Sequence, residues 1–204
     1  MGRYGPVPLS PHLRLFATLL SAGTFYTTCA FGHGLELSGG IHTNFNGEHR
    51  DRFGNAPIVS VAYSAPIPPK DVHVLLELSY LSNSGQLTAN RTFELPDGRY
   101  WVLPLIAGIR TNVISGQGPR SFALYLGFGV MTVFSEFEAP NGSRYTGTTF
   151  GGMAEIRPQL GLTDRLLVWV RERISVMDDV SYQPWATLNY SGAALQLGMS
   201  YGAP

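Results

Sequence analysis

The chain has 204 residues, 44% of them hydrophobic and only 14% charged, and its formal net charge is zero. A soluble domain usually carries about 25% charged residues, so this surface either faces something other than water or is unusually poor in charge. The neutral balance gives no reason to expect nucleic acid or another polyanion as partner, and 24 glycines with 14 prolines argue against a helical bundle and for many strands and turns.

The N-terminus reads as a cleavable signal peptide over residues 1–32. Arg3 and Arg14 give a positive start, Leu15 to Phe25 is a short apolar run, and Ala30-Phe31-Gly32 fits a small-x-small cleavage pattern before His33. The run is too short and too broken by Thr and Gly for a spanning helix, which needs about 20 apolar residues. Cleavage removes two of the 14 basic residues and none of the 14 acidic ones, leaving a mature net charge of −2. The sole cysteine, Cys29, lies in the leader. Tyr26-Thr27-Thr28 before it is a poor lipobox, and the mature domain, 33–204, has no disulfide or cysteine metal site.

Beyond residue 33 the apolar period is two. In Val72–Leu81, VHVLLELSYL, the even positions are all apolar and the odd ones include His73, Glu77 and Ser79. Phe122–Phe134 repeats the pattern. Eight strands are predicted at 34–45, 57–65, 72–82, 99–113, 121–135, 148–162, 166–176 and 188–201. The gaps alternate, long at 46–56, 83–98, 136–147 and 177–187, short at 66–71, 114–120 and 163–165. Long loops at one end and short turns at the other mark an up-and-down membrane barrel. A soluble sandwich has no reason to alternate so regularly. Lipid offers the backbone no hydrogen-bond partner, so the sheet must close on itself. The predicted fold is therefore all-β, a closed antiparallel eight-stranded transmembrane barrel.

Aliphatic parity assigns each strand an outward face. On it, large aromatics fall at strand ends, as a lipid-interface girdle requires. Phe45, Tyr80, Trp101, Phe134 and Phe150 mark the loop end, and Tyr63, Phe122 and Tyr201 the turn end. The opposite parity carries Glu36, Glu77, Arg110, Glu155, Arg157, Arg171 and Arg173, a predicted lumen charge network, with Gln159, Gln196 and several glycines that leave room for long side chains. A lipocalin-type barrel would reverse these faces. Glu172 resists the pattern: it takes outward parity, which calls for a bulge in the seventh strand or a position near the interface.

The strand Leu124-Tyr-Leu-Gly-Phe-Gly-Val130 and the closing strand Leu195-Gln-Leu-Gly-Met-Ser-Tyr201 resemble those of small outer-membrane barrels: the OmpA membrane domain, OmpX, OmpW and the broad bacterial β-barrel-domain group. The closing strand is similar to the signal read by the barrel-insertion machinery, although Gly202-Ala203-Pro204 follow its aromatic. The resemblance covers residues 34–201. It implies a Gram-negative cell outer membrane location, outer-membrane lipid and lipopolysaccharide as surroundings, a monomer, and no cofactor.

Catalysis finds little support. Small-barrel lipid A deacylases place a His two residues before a Ser-Asn pair, and here Tyr80 precedes Ser82-Asn83. Without that base the serine has no activator, and Ser82-Asn83 reads as a turn start. His12, His33, His42, His49 and His73 are scattered and offer no metal-ligand spacing on one strand face. Residues 48–52 read as a solvated, charged loop tip, and the sequons at Asn90 and Asn141 as loop. A structural or surface-interaction role is therefore expected, with the lumen charges as a salt-bridge plug. The alternative is a porin-like channel for small solutes or hydrophobic molecules, which an apolar cavity near the loop end would favour. If Leu162 faces Leu166 across the sixth turn, Glu155 lies opposite Arg173.

Overall fold

The computed structural model describes residues 34–67, 72–84, 98–116, 121–139, 141–163, 165–182 and 186–202. The predicted leader, with Cys29 and the cleavage site before His33, and the sequon at Asn90 lie outside the described residues. The elements are β1 (Gly34–Asn44), α1 (Gly47–Phe53), β2 (Ala56–Ile67), β3 (Val72–Ser84), β4 (Arg99–Ser115), β5 (Phe122–Glu138), β6 (Arg144–Gly161), β7 (Leu166–Met177), β8 (Val180–Tyr182), β9 (Ala186–Leu188) and β10 (Gly192–Gly202).

Eight of these strands close into one antiparallel barrel in the order β1-β10-β7-β6-β5-β4-β3-β2, while β8 and β9 form a separate two-stranded sheet. Closure is by the β1–β10 ladder, from Gly34 opposite Gly202 to Asn44 opposite Gly192. Every barrel edge is thereby paired, the condition lipid imposes on backbone N–H and C=O groups. The expected β6–β7 register holds, with Glu155 opposite Arg173 and Leu162 N donating to Leu166 O at 2.9 Å.

The outer face is a continuous apolar band. Leu37, Ile41, Leu76, Ile109, Phe128, Val130, Ile156, Val170, Leu195 and Leu197 all project outward and exposed. On β5 and β6 the band ends at Phe134 and Phe150. Beyond them the same parity carries Glu136, Glu138, Thr148, Thr146 and Arg144, so these strands run past the apolar layer at the loop end. Seventeen and eighteen residues are more than the about 9–11 a strand needs to cross.

Several expectations are corrected. The last strand begins at Gly192, not 188, because Leu188 belongs to the short β8–β9 sheet. Ser82 and Asn83 are not a turn start: β3 continues through them to Ser84. β7 has no bulge at Glu172, whose ladder partners are Ile156 and Leu195, both lipid-facing. The register shift lies instead in β4, between Asn112 and Ile114. Glu172 is thus an exposed carboxylate midway along β7, between Val170 and Ile174. A charge there opposes insertion, so Glu172→Leu should stabilise the barrel in lipid vesicles by about 1–2 kcal/mol, less than the about 2–4 kcal/mol at stake for a midplane arginine or lysine. Urea titration of the vesicle-embedded protein measures it. An unchanged or lower midpoint would mean that this carboxylate has a partner in the membrane.

Candidate functional site

Strand alternation sends one side chain in two into the lumen, so residues distant in sequence meet there. The structure places all seven of Glu36, Glu77, Arg110, Glu155, Arg157, Arg171 and Arg173 inside, each 5% exposed or less. They form one connected cluster. Glu77 receives Arg171 Nη1 at 2.6 Å and Arg173 through Nη1 and Nη2, both at 2.7 Å. Glu155 receives Arg173 Nη2 at 2.7 Å and Arg110 Nε at 2.8 Å. Glu36 receives Arg110 Nη1 at 2.9 Å and Arg157 Nη1 at 2.7 Å.

Neutral groups occupy the remaining valences, some of them missed by sequence reasoning. Ser79 Oγ donates to Glu77 at 2.8 Å and exchanges a hydrogen bond with Ser60 Oγ at 2.9 Å. Gln196 accepts from Arg171 Nε at 3.0 Å and donates to Ser60 Oγ at 2.8 Å. Trp169, not singled out from the sequence, lies under two guanidiniums, 4.3 Å from that of Arg157 and 5.1 Å from that of Arg171, and donates from Nε1 to Ser200 Oγ at 2.8 Å. Its parity, the same as that of Arg171 and Arg173, was the available signal. Cation–π contact and hydrogen bonding together hold the arginines where water is excluded.

Small residues make the space. A Cβ at Gly198 would come 2.4 Å from the Trp169 ring, and one at Gly127 would come 2.7 Å from Glu155 Cγ. These glycines serve close approach rather than backbone freedom.

The inward face is not polar throughout, as was expected. Toward the loop end it carries Ile58, Leu81, Val102, Ile106, Met131, Val133, Met153 and Met177, which form a packed apolar core above the charges. The cavity in this tier, bordered by His42, Ile106, Met131 and Tyr190, is about 30 Å³. That holds about two water molecules.

Above the core lies a head built from loop residues. Residues 48–52 are not irregular loop but part of α1. Asn46 caps it, its Oδ1 accepting from His49 N at 3.2 Å, and Gly54 ends it at φ +66°, where a Cβ is disfavoured. His49 is buried, with ring contacts to Phe53 at 5.1 Å, Tyr100 at 5.2 Å and Tyr190 at 5.6 Å. Asn83 Nδ2 donates to the carbonyls of Phe53 and Asn55, so Asn83 ties down the first loop. β8 packs on β6, where a Cβ at Gly147 would strike Val180. Tyr182 hydroxyl bonds Ser135 Oγ and, at 2.9 Å, the Tyr190 hydroxyl. Burial pushes the Tyr182 and Tyr190 phenols above their ordinary pKa, so both stay protonated as donors.

Of the aromatic set, Phe45, Phe122, Phe134, Phe150 and Tyr201 are more than 40% exposed on the outer face, and Tyr63 is slightly less exposed. Tyr63 is not at a strand end, since β2 continues to Ile67. Tyr80 and Trp101 are half-buried.

A closed eight-stranded sheet, apolar outside and charged within, is the fold of small outer-membrane β-barrels. Solved structures share this fold. Neisserial surface protein A (NspA) matches with a TM-score of 0.62 at 12% identity, covering 84% of this chain and 97% of that one. Ail, the attachment invasion locus protein of Yersinia pestis, matches with a TM-score of 0.50 at 14% identity, covering 84% of this chain and 99% of its own. Ail in complex with the heparin analogue sucrose octasulfate gives 0.51 at 14% identity over the same shares. No family model matches the sequence, and no curated protein matches it.

Proposed function

We propose that this protein is exported by its N-terminal leader and serves as a non-conducting, non-enzymatic anchor that holds a rigid interaction head at the cell surface. The observation that carries the reading is the doubly closed lumen. Among the described residues, a charge network fills one tier and an apolar core fills the next, and the cavity within that core is about 30 Å³. That is too small for a solute path, which argues against the channel alternative. The loop-end residues Phe137, Val180, Tyr182, Leu188 and Tyr190 meanwhile extend that apolar core and are buried in it. Such ordering favours a presented surface over a passive connection.

The aromatic set Phe45, Tyr63, Tyr80, Trp101, Phe122, Phe134, Phe150 and Tyr201 would meet the lipid interfaces, with lipopolysaccharide around the loop end. The closing strand would engage the insertion machinery, and the barrel would act as a monomer.

Planar-bilayer recording tests the central point. The folded protein should add no resolved conductance steps and should migrate as a heat-modifiable monomer on gels. A large, steady conductance would refute the anchor and establish the channel. N-terminal sequencing of the membrane-fraction protein tests export: a start near His33 is expected, and retention of residues 1–32 or a lipid on Cys29 would overturn it.

A further inference from the structure

The charges sealed in the lumen do not balance. Among the described residues, the carboxylates of Glu36, Glu77 and Glu155 face the guanidiniums of Arg110, Arg157, Arg171 and Arg173, one positive charge in excess. Arginine does not lose its proton in proteins, and an uncompensated charge away from water is strongly disfavoured.

The excess sits at one end. Glu77 and Glu155 are shared among Arg171, Arg173 and Arg110 in the middle of the lumen. Among the described residues Arg157 pairs with Glu36 alone, and Glu36 already accepts from Arg110 Nη1 at 2.9 Å and Ser64 Oγ at 3.1 Å. Arg157 Nη2 goes to neutral acceptors, Gln159 Oε1 at 2.7 Å and Ser200 Oγ at 2.8 Å. Its Nε is buried and finds no acceptor among the described residues.

Arg157 borders a cavity of about 100 Å³ at the turn end of the lumen, where Arg110 and Arg165 outnumber Glu36, the one carboxylate on the wall among the described residues, and Gln159 and Ser64 add neutral polar groups. A water needs about 10–15 Å³ of such space, so the cavity suits several waters or one tetrahedral oxyanion. Guanidinium groups recognise such oxyanions by charge-assisted hydrogen bonds.

We propose that this turn-end vestibule binds one small oxyanion of the phosphate class, held by the Arg157 edge and neutralising the lumen's excess charge. Arg110 and Arg165 add to the field, and Ser64 and Gln159 supply neutral polar groups at the wall. Two sources carry this chemistry, free inorganic phosphate and the phosphodiester of a phospholipid headgroup.

The test uses the whole barrel folded in phospholipid-free detergent and titrated with inorganic phosphate against chloride at equal ionic strength, read by phosphorus NMR and thermal unfolding. A saturable, one-site response with a rise in Tm is expected. Arg157→Gln should weaken it about tenfold or more. Because that variant also breaks the Glu36 pair, Gln159→Glu is the decisive second variant. It places a carboxylate beside Arg157 Nη2, so Tm without phosphate should rise and the phosphate response should vanish. Repeating the titration in phospholipid nanodiscs separates the sources: a persisting response identifies free phosphate, and its replacement by broadening of a lipid phosphorus resonance identifies a headgroup. No saturable response in detergent overturns the proposal, as does a wild-type response in Gln159→Glu.

Discussion

Glu77→Ala and Glu155→Ala should each destabilise the barrel by about 3–5 kcal/mol, the usual cost of stripping one partner from a buried ion cluster. Each removal strips buried guanidinium groups of part of their charged acceptor set. In Glu77→Ala, Arg171 and Arg173 lose four hydrogen bonds at 2.6–3.1 Å, and Ser79 loses its acceptor. In Glu155→Ala, Arg110 loses its Nε bond, and Arg173 loses its Nε and Nη2 bonds to that carboxylate. Glu138→Ala is the control. Its pair with Arg144 spans 3.9 Å between side chains 41% and 56% exposed, so its loss should change stability by no more than about 0.5 kcal/mol. Urea-induced unfolding from lipid vesicles ranks the three. A Glu77→Ala midpoint no lower than that of Glu138→Ala would sink the idea that the lumen charges are mutually dependent.

The size of that difference follows from what the lumen offers instead of water. In a polar solvent each arginine released by Glu77→Ala would rehydrate at little cost. Here Trp169 covers one side of Arg171, Gln196 takes its Nε, and the apolar tier of Ile106, Met131 and Met153 closes the space above. Both released groups are 4% exposed or less, so the loss is felt almost in full.

The barrel itself was legible because two independent signals coincide. Period-two alternation gives each strand its faces, and the long-short gap pattern gives the order in which strands pair. The β6–β7 turn then fixed Glu155 opposite Arg173 from sequence alone, because a short turn leaves one register. Which acid meets which arginine elsewhere was not legible. Glu77 reaches Arg171 and Arg173 from β3 across the lumen, a distance that depends on barrel shear and not on any local pattern. Parity also says only that a residue faces inward, not how high it sits, and so the charged tier and the apolar tier were merged into one polar face. The head was missed for a different reason. α1 has seven residues, too few for a hydrophobic period to register, yet Asn46 and Gly54 bracket it as cap residues and His49 and Phe53 sit one turn apart on the face that buries. Reading caps before periodicity would have found it.

The glycines of the lumen can be tested by the smallest possible change. Gly127 lies directly opposite Glu155 in the β5–β6 ladder. A single added Cβ would come 2.7 Å from Glu155 Cγ and 3.0 Å from its Oε1. Glu155 is a flexible side chain in principle, but Arg110 and Arg173 hold its carboxylate from two sides. It can yield to the new methyl only by loosening one of them. Gly127→Ala should therefore cost about 1–3 kcal/mol, as overpacking does in a filled interior. Gly152→Ala is the matched comparison. Its Cβ would point to the exposed outer face, with its nearest neighbour 3.7 Å away, and should be neutral or stabilising by about 0.5–1 kcal/mol, since alanine gives up less backbone freedom than glycine. The mechanism is separable from general intolerance of β5 by a double-mutant cycle. If the methyl acts through Glu155, then Gly127→Ala should cost almost nothing in a Glu155→Ala background, giving a coupling of about 1–3 kcal/mol. Additive single effects would mean that Gly127 is required for some other reason, and that the space above it is not what sets Glu155 between its two arginines.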